Sequence, residues 1–119
     1  MLEDFYTVKE KIITEKGFET RIALNRDHLI YKAHFPGNPI TPGVCMIQIC
    51  QELVAGHYGK SLHMTGAKNI KFLNVLNPQE HEEVVFIVEF KNSDSEIKAV
   101  IVVRDNEKEF AKISAEYRY

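Results

Sequence analysis

Cysteine occurs only at Cys45 and Cys50, tryptophan is absent, and no apolar run approaches the roughly 18 residues of a membrane-spanning helix. Two cysteines five apart in an apolar segment lack metal-ligand spacing, and on one helix they point in different directions. They read as buried free thiols in a reducing compartment. The start, Met1-Leu2-Glu3-Asp4, has neither the basic residues nor the apolar stretch of a signal peptide. A cytoplasmic protein without membrane contact is therefore expected. Charge of one sign is missing too: 15 Lys+Arg against 17 Asp+Glu leave a net charge of −2. No global field favours nucleic acid, and an acidic partner would need a local basic patch. Lys60, Lys68 and Lys71 are candidates for such a rim, although solvated strand-face lysines are the commoner explanation. His28, His57, His63 and His81 have no metal-site spacing and are expected at the surface or at sheet edges. Neither metal nor cofactor is expected.

What remains is ordinary for a globular protein, with 45% hydrophobic and 27% charged residues in 119. One domain, residues 1–119, is expected. A core this small stabilises a monomer only modestly, so association with a second copy would help. Phe5 to Thr14 is rich in β-branched and aromatic residues, and Phe18, Thr20, Ile22 and Leu24 alternate after Lys16-Gly17, which predicts a hairpin. His28 to Ala33 reads as a short helical turn. Thr41 before Pro42 reads as an N-cap followed by the first helical position, and the helix is expected to run to Tyr58 with Gly59 ending it. Nearly every direction of that helix is apolar, so it is expected to be buried on most sides. Strands are predicted at Asn69 to Leu76, Glu83 to Phe90, Glu96 to Val103 and Phe110 to Tyr119. An antiparallel sheet curled around a central helix satisfies this α+β order.

Between the short turn and the helix lies the densest punctuation in the chain, His34-Phe35-Pro36-Gly37-Asn38-Pro39-Ile40-Thr41-Pro42-Gly43. With Val44 it resembles the His-Phe-Pro-Gly-x-Pro-x-x-Pro-Gly-Val signature of the 3-hydroxyacyl-acyl-carrier-protein dehydratases, the FabZ-type hotdog family. Lys71-Phe72-Leu73-Asn74-Val75-Leu76-Asn77-Pro78 is similar to a second, weaker motif of that family. The resemblance covers most of the chain, although its N-terminus is shorter than usual and Ala33 stands where glycine is frequent.

The resemblance implies a hotdog fold, with the antiparallel sheet wrapped around the long central helix. It also implies a homodimer with two interface sites, each joining the motif histidine of one subunit to a helix carboxylate of the other; assembly beyond the dimer is left open. The substrate would be an acyl thioester on acyl carrier protein or CoA. His34, Gln48 and Gly43 are the implied catalytic positions, and Phe35, Pro42, Val44 and Glu52 the implied substrate-binding ones. Chemistry agrees: dehydration needs a base at C2, for which imidazole is suited, and help for the leaving C3 hydroxyl. A helix N-terminus offers free N–H groups to the thioester oxygen, and Gly43 permits close approach.

One position departs. The family carboxylate lies fourteen residues after the histidine, where this chain has Gln48, and Glu52 stands one turn later. An amide accepts and donates hydrogen bonds but does not protonate a leaving group at ordinary pH. Several readings stay open. One is a dehydratase in which His34 shuttles the proton and Gln48 orients the hydroxyl or a water. Another is a dehydratase in which Glu52 supplies the acid from roughly 6 Å further along the axis. The others are a thioesterase using Glu52 and a catalytically impaired acyl-thioester-binding subunit. Plainer roles stand beside them. His34 could be a loop histidine, Gln48 and Glu52 a polar interface seam, Gly43 a packing residue, and Met46 and Ile47 simple core.

Overall fold

A computed structural model of the chain describes residues 2–33, 37–91 and 96–119. The elements follow in the order β1 (Tyr6–Ile13), β2 (Gly17–Leu24), α1 (Leu29–Ala33), α2 (Gly43–Tyr58), β3 (His63–Phe72), β4 (Glu83–Lys91), β5 (Ile97–Arg104) and β6 (Glu109–Arg118). All six strands form one antiparallel sheet in the order β1-β2-β4-β5-β6-β3, so β1 and β3 are its edges. The predicted hairpin, the short turn and the last three strands stand where expected. The strand predicted at Asn69 to Leu76 instead spans His63–Phe72. Its residues are almost all exposed, so it carries no alternation to mark its start.

Alternation in the inner strands builds the core. Phe18, Ile22, Val84, Phe86, Val88, Ile101, Val103 and Ile113 point to one face and are buried, together with the stripe Cys45, Met46, Ile49, Cys50 and Val54 of α2. Gly17 lets β2 close on β4, since a Cβ there would lie 2.1 Å from the Val88 carbonyl oxygen.

The helix departs from expectation in two ways. It starts at Gly43 with Pro42 in the N-cap position, and no side chain caps it. Thr41 is buried instead. Its hydroxyl meets the Tyr31 hydroxyl at 2.9 Å, and its N–H donates to Leu76 O at 2.8 Å. A hydroxyl committed to Tyr31 is not available to the first turn. Secondly, the sheet covers one face only, leaving Ile47, Gln48, Leu53 and Ala55 half-buried and Val44 69% exposed. Gly59 ends the helix as predicted, at φ 65°, with its N–H and that of Lys60 taken by Gly56 O and Ala55 O.

Two histidines are less superficial than expected. His57 stacks on Phe18 and Phe90 and meets Lys11 Nζ at 2.9 Å, so burial and then that charge hold its imidazole below the usual range. His81 pairs with Asp105 against the edge of Phe110, because the β5–β6 turn folds over it. Asp105 also accepts the N–H groups of Glu107 and Lys108, both at 2.8 Å. Burial alone would raise its carboxyl, but the two amides and His81 outweigh it and hold the group below the usual carboxylate range. A depressed folded-state value gives stability that is complete above the ordinary carboxylate range and lost as pH falls through the folded-state value. Asp105→Ala should therefore lower the urea midpoint at pH 7, corresponding to an unfolding free energy reduced by roughly 1 kcal/mol per hydrogen bond lost. Below about pH 4 the difference from wild type should shrink, the wild type having lost the same contribution. Equal midpoints at pH 7 would count against a structural role for the turn.

Candidate active site

The start of α2 is the chemical focus. Cys45 N–H and Met46 N–H are taken by Pro42 O, at 3.0 and 3.3 Å. The Gly43 N–H has no partner among the described residues. An uncapped helix start carries unsatisfied donors and the positive end of the dipole, which together suit an electron-rich oxygen. Beside it opens a cleft of about 370 Å³, lined mainly by apolar side chains that include Met46, Phe72, Leu73 and Leu76, with Thr41 and Gly43 at its wall.

Phe72, at the end of β3 and 50% exposed, lies against Gly43. A Cβ at Gly43 would come within 2.5 Å of the ring's Cζ. Glycine is thus needed here for the ring to sit where it does. Burial raises the thiol of Cys45, and burial pushes Tyr31 up to about 12 despite its bond to Thr41. Both groups flanking the helix start are therefore neutral near pH 7.

Gln48 and Glu52 do share a face. Gln48 Nε2 donates to Glu52 Oε2 at 3.0 Å, and the same oxygen accepts the Leu2 N–H at 2.8 Å. Glu52 Oε1 accepts the Tyr6 hydroxyl at 2.9 Å. Tyr6 is shifted well upward, by burial first and then by its bond to and the charge of Glu52, so it remains a donor at neutral pH. Gly43 and Glu52 are nine residues apart, about 13 Å along the axis. A carbonyl held at Gly43 is therefore out of reach of the Glu52 carboxylate of the same chain.

Of the positions singled out in the sequence, His34 and Phe35 lie outside the described residues. Gly43 opens the helix at the cleft, Pro42 is half-buried beside it, and Val44 points outward. Lys68 and Lys71 are exposed on β3, while Lys60 lies over the Tyr119 ring at 4.2 Å. Sequence reasoning missed Tyr6, Leu2 and Phe72. Tyr6 carried a signal, since it opens the hairpin beside Phe5; Leu2 carried none. Among the described residues no group of three or more His, Cys, Asp or Glu side chains is placed to hold a metal.

A family model described as ApeI dehydratase, of the ApeI-like family, matches residues 9–112. The chain is 32% identical over 79 residues to a 3-hydroxyacyl-acyl-carrier-protein dehydratase FabZ of Ligilactobacillus salivarius (strain UCC118), covering 60% of this chain. It spans only 55% of that relative's length. The dehydratase heterocomplex ApeI:P from Xenorhabdus doucetiae superposes with a TM-score of 0.76 at 11% identity, covering 95% of this chain and 97% of that one. An uncharacterized protein from Erwinia carotovora subsp. atroseptica superposes at 0.61 and 15% identity, covering 94% and 90%. These likenesses establish the hotdog fold: one antiparallel sheet with a central helix.

Proposed function

The chain belongs to the ApeI-like dehydratase family, and we propose that it interconverts a 3-hydroxyacyl thioester and its trans-2-enoyl thioester by removing or adding water. The observation that carries this reading is the uncapped start of α2, where the Gly43 N–H has no partner among the described residues and Gly43 lines an apolar cleft immediately after the His34 motif. The thioester oxygen accepts from Gly43, so that the charge developing on it is stabilised by a donor already in place. His34 takes the C2 proton, and that electron pair becomes the C2=C3 bond. The C3–O bond breaks, and the departing oxygen collects the same proton from the imidazolium to leave as water. Gln48 holds the hydroxyl, supplying orientation and no proton. The thioester is carried on acyl carrier protein or CoA.

The site is completed by a second subunit, in the homodimer that the family resemblance implies. The side of α2 that the sheet leaves uncovered, with Val44 and Ile47, and the open edge of β3 support that pairing. A second reading, a subunit that binds acyl thioesters and works beside an active homologue, is favoured by one observation: an amide at position 48. Thioesterase chemistry through Glu52 is disfavoured, because three donors already engage that carboxylate.

The deciding experiment follows the loss of conjugated enoyl absorbance when the purified protein meets an enoyl thioester, with thiol release measured in parallel. Hydration is the expected result. Thiol release without hydration would replace the assignment with thioesterase. Silence from the wild type would move it to the binding subunit.

A further inference from the structure

We propose that Glu52 is a positioning residue that fixes the orientation of the Gln48 amide, turning its carbonyl oxygen toward the reacting hydroxyl. The proposal rests on the dehydratase reading and specifies how an amide serves it. Carboxamide oxygen and nitrogen differ little in shape, so an unrestrained glutamine presents either a donor or an acceptor. Glu52 removes that choice. An ionised carboxylate only accepts, so the group 3.0 Å from its Oε2 must be the Gln48 NH2. Flipping the amide would set oxygen against oxygen.

The carboxylate is itself held from two other directions. Tyr6 of β1 donates to Oε1 at 2.9 Å, and the Leu2 amide of the N-terminal segment donates to Oε2 at 2.8 Å. Both partners donate to the carboxylate, so Glu52 acts as acceptor toward Tyr6, Leu2 and Gln48 alike. Charge assistance makes each of these bonds stronger than a neutral pair. With one amide hydrogen held by Glu52, Gln48 keeps its oxygen as the acceptor it offers to a substrate hydroxyl.

That polarity has a chemical consequence. A carbonyl oxygen accepts the hydrogen of the C3 hydroxyl and leaves the hydroxyl lone pairs free. The proton taken from C2 can then reach those lone pairs from the imidazolium. A flipped amide would instead donate to the hydroxyl oxygen and occupy a lone pair that must receive the proton. Tyr6 and Glu52 touch no reacting atom; they act through Gln48.

The test uses the intact protein labelled with 15N at glutamine side chains, the Gln48 signals being identified by their loss in Gln48→Glu. In wild type one Gln48 amide proton should be shifted downfield and exchange slowly with solvent. Glu52→Gln, which keeps size and removes charge, should collapse that signature and lower kcat for hydration about tenfold with KM little changed. Tyr6→Phe should move both readouts in the same direction by a smaller factor. An unaltered Gln48 signature in Glu52→Gln would overturn the proposal, and so would an altered signature with unchanged kcat. Should the wild type show no hydration, the dehydratase reading fails, and unaltered spectra would still overturn the orienting role by themselves.

Discussion

His34→Ala should lower enoyl-thioester hydration by about 10²- to 10⁴-fold, the range typical of a lost acid–base group. Among the described residues of the same chain, nothing else around the helix start is equipped to take the C2 proton. Cys45 is held as a thiol by burial, and Tyr31 is pushed up to about 12 and bonded to Thr41. The Glu52 carboxylate is an acceptor already serving three donors, some 13 Å along the axis from Gly43. The loss should fall on kcat, because the donor at Gly43 and the apolar cleft are untouched by the substitution. Initial rates of enoyl absorbance loss, measured together with a melting curve, make the check. Wild-type turnover in a folded His34→Ala protein would remove His34 from the mechanism.

Gln48→Glu should raise hydration roughly tenfold or more at mildly acidic pH, supplying a proton donor that the wild type lacks. The reason lies in the neighbour. The introduced carboxyl would face Glu52 at about the separation now held by Gln48 Nε2, 3.0 Å. Two carboxylates so close do not both ionise, and one proton is retained between them well above the ordinary range. The other groups facing the pair are Tyr6 from β1 and the Leu2 amide, both donors without charge. Activity of the variant should therefore decline on the alkaline side, where that proton is lost. Stability should follow the same curve. A carboxyl whose folded-state value is raised loses its favourable contribution as pH rises through that value, so the variant should melt below wild type at pH 8 and approach it at pH 5. Rates at or below wild type across the pH range would show that position 48 does not touch the leaving group.

Much of this architecture was legible because period-two alternation marks strands buried on one face. Phe18, Thr20, Ile22 and Leu24 of β2 declare it, and β4 and β5 repeat it. β3 did not, because an edge strand exposed on both faces has no reason to alternate, and its first six residues were missed. The helix end was readable from Gly59. Its start was off by one residue because the Thr41 hydroxyl is taken by Tyr31, ten positions earlier, a competition that local rules for helix starts do not contain. The motif pointed to Gly43 and Gln48, but their neighbours are tertiary facts. Glu52 meets Tyr6 and Leu2 across 46 and 50 residues, and Phe72 reaches Gly43 from another element. No periodicity encodes such meetings.

The two open borders of the sheet bear on how the protein behaves when concentrated. A flat strand with unpaired amides invites further strands to add without limit. Here both borders are broken by irregular residues: Lys9 interrupts the register of β1, and Thr65 and Lys68 interrupt that of β3. At each border a lysine occupies an irregular position, where an approaching strand would have to accept its charge and the local change in twist. Growth of a fibre through either border is penalised at each added copy. A discrete partner shaped to the irregularity suffers that penalty once, so these borders tolerate a finite assembly while opposing aggregation.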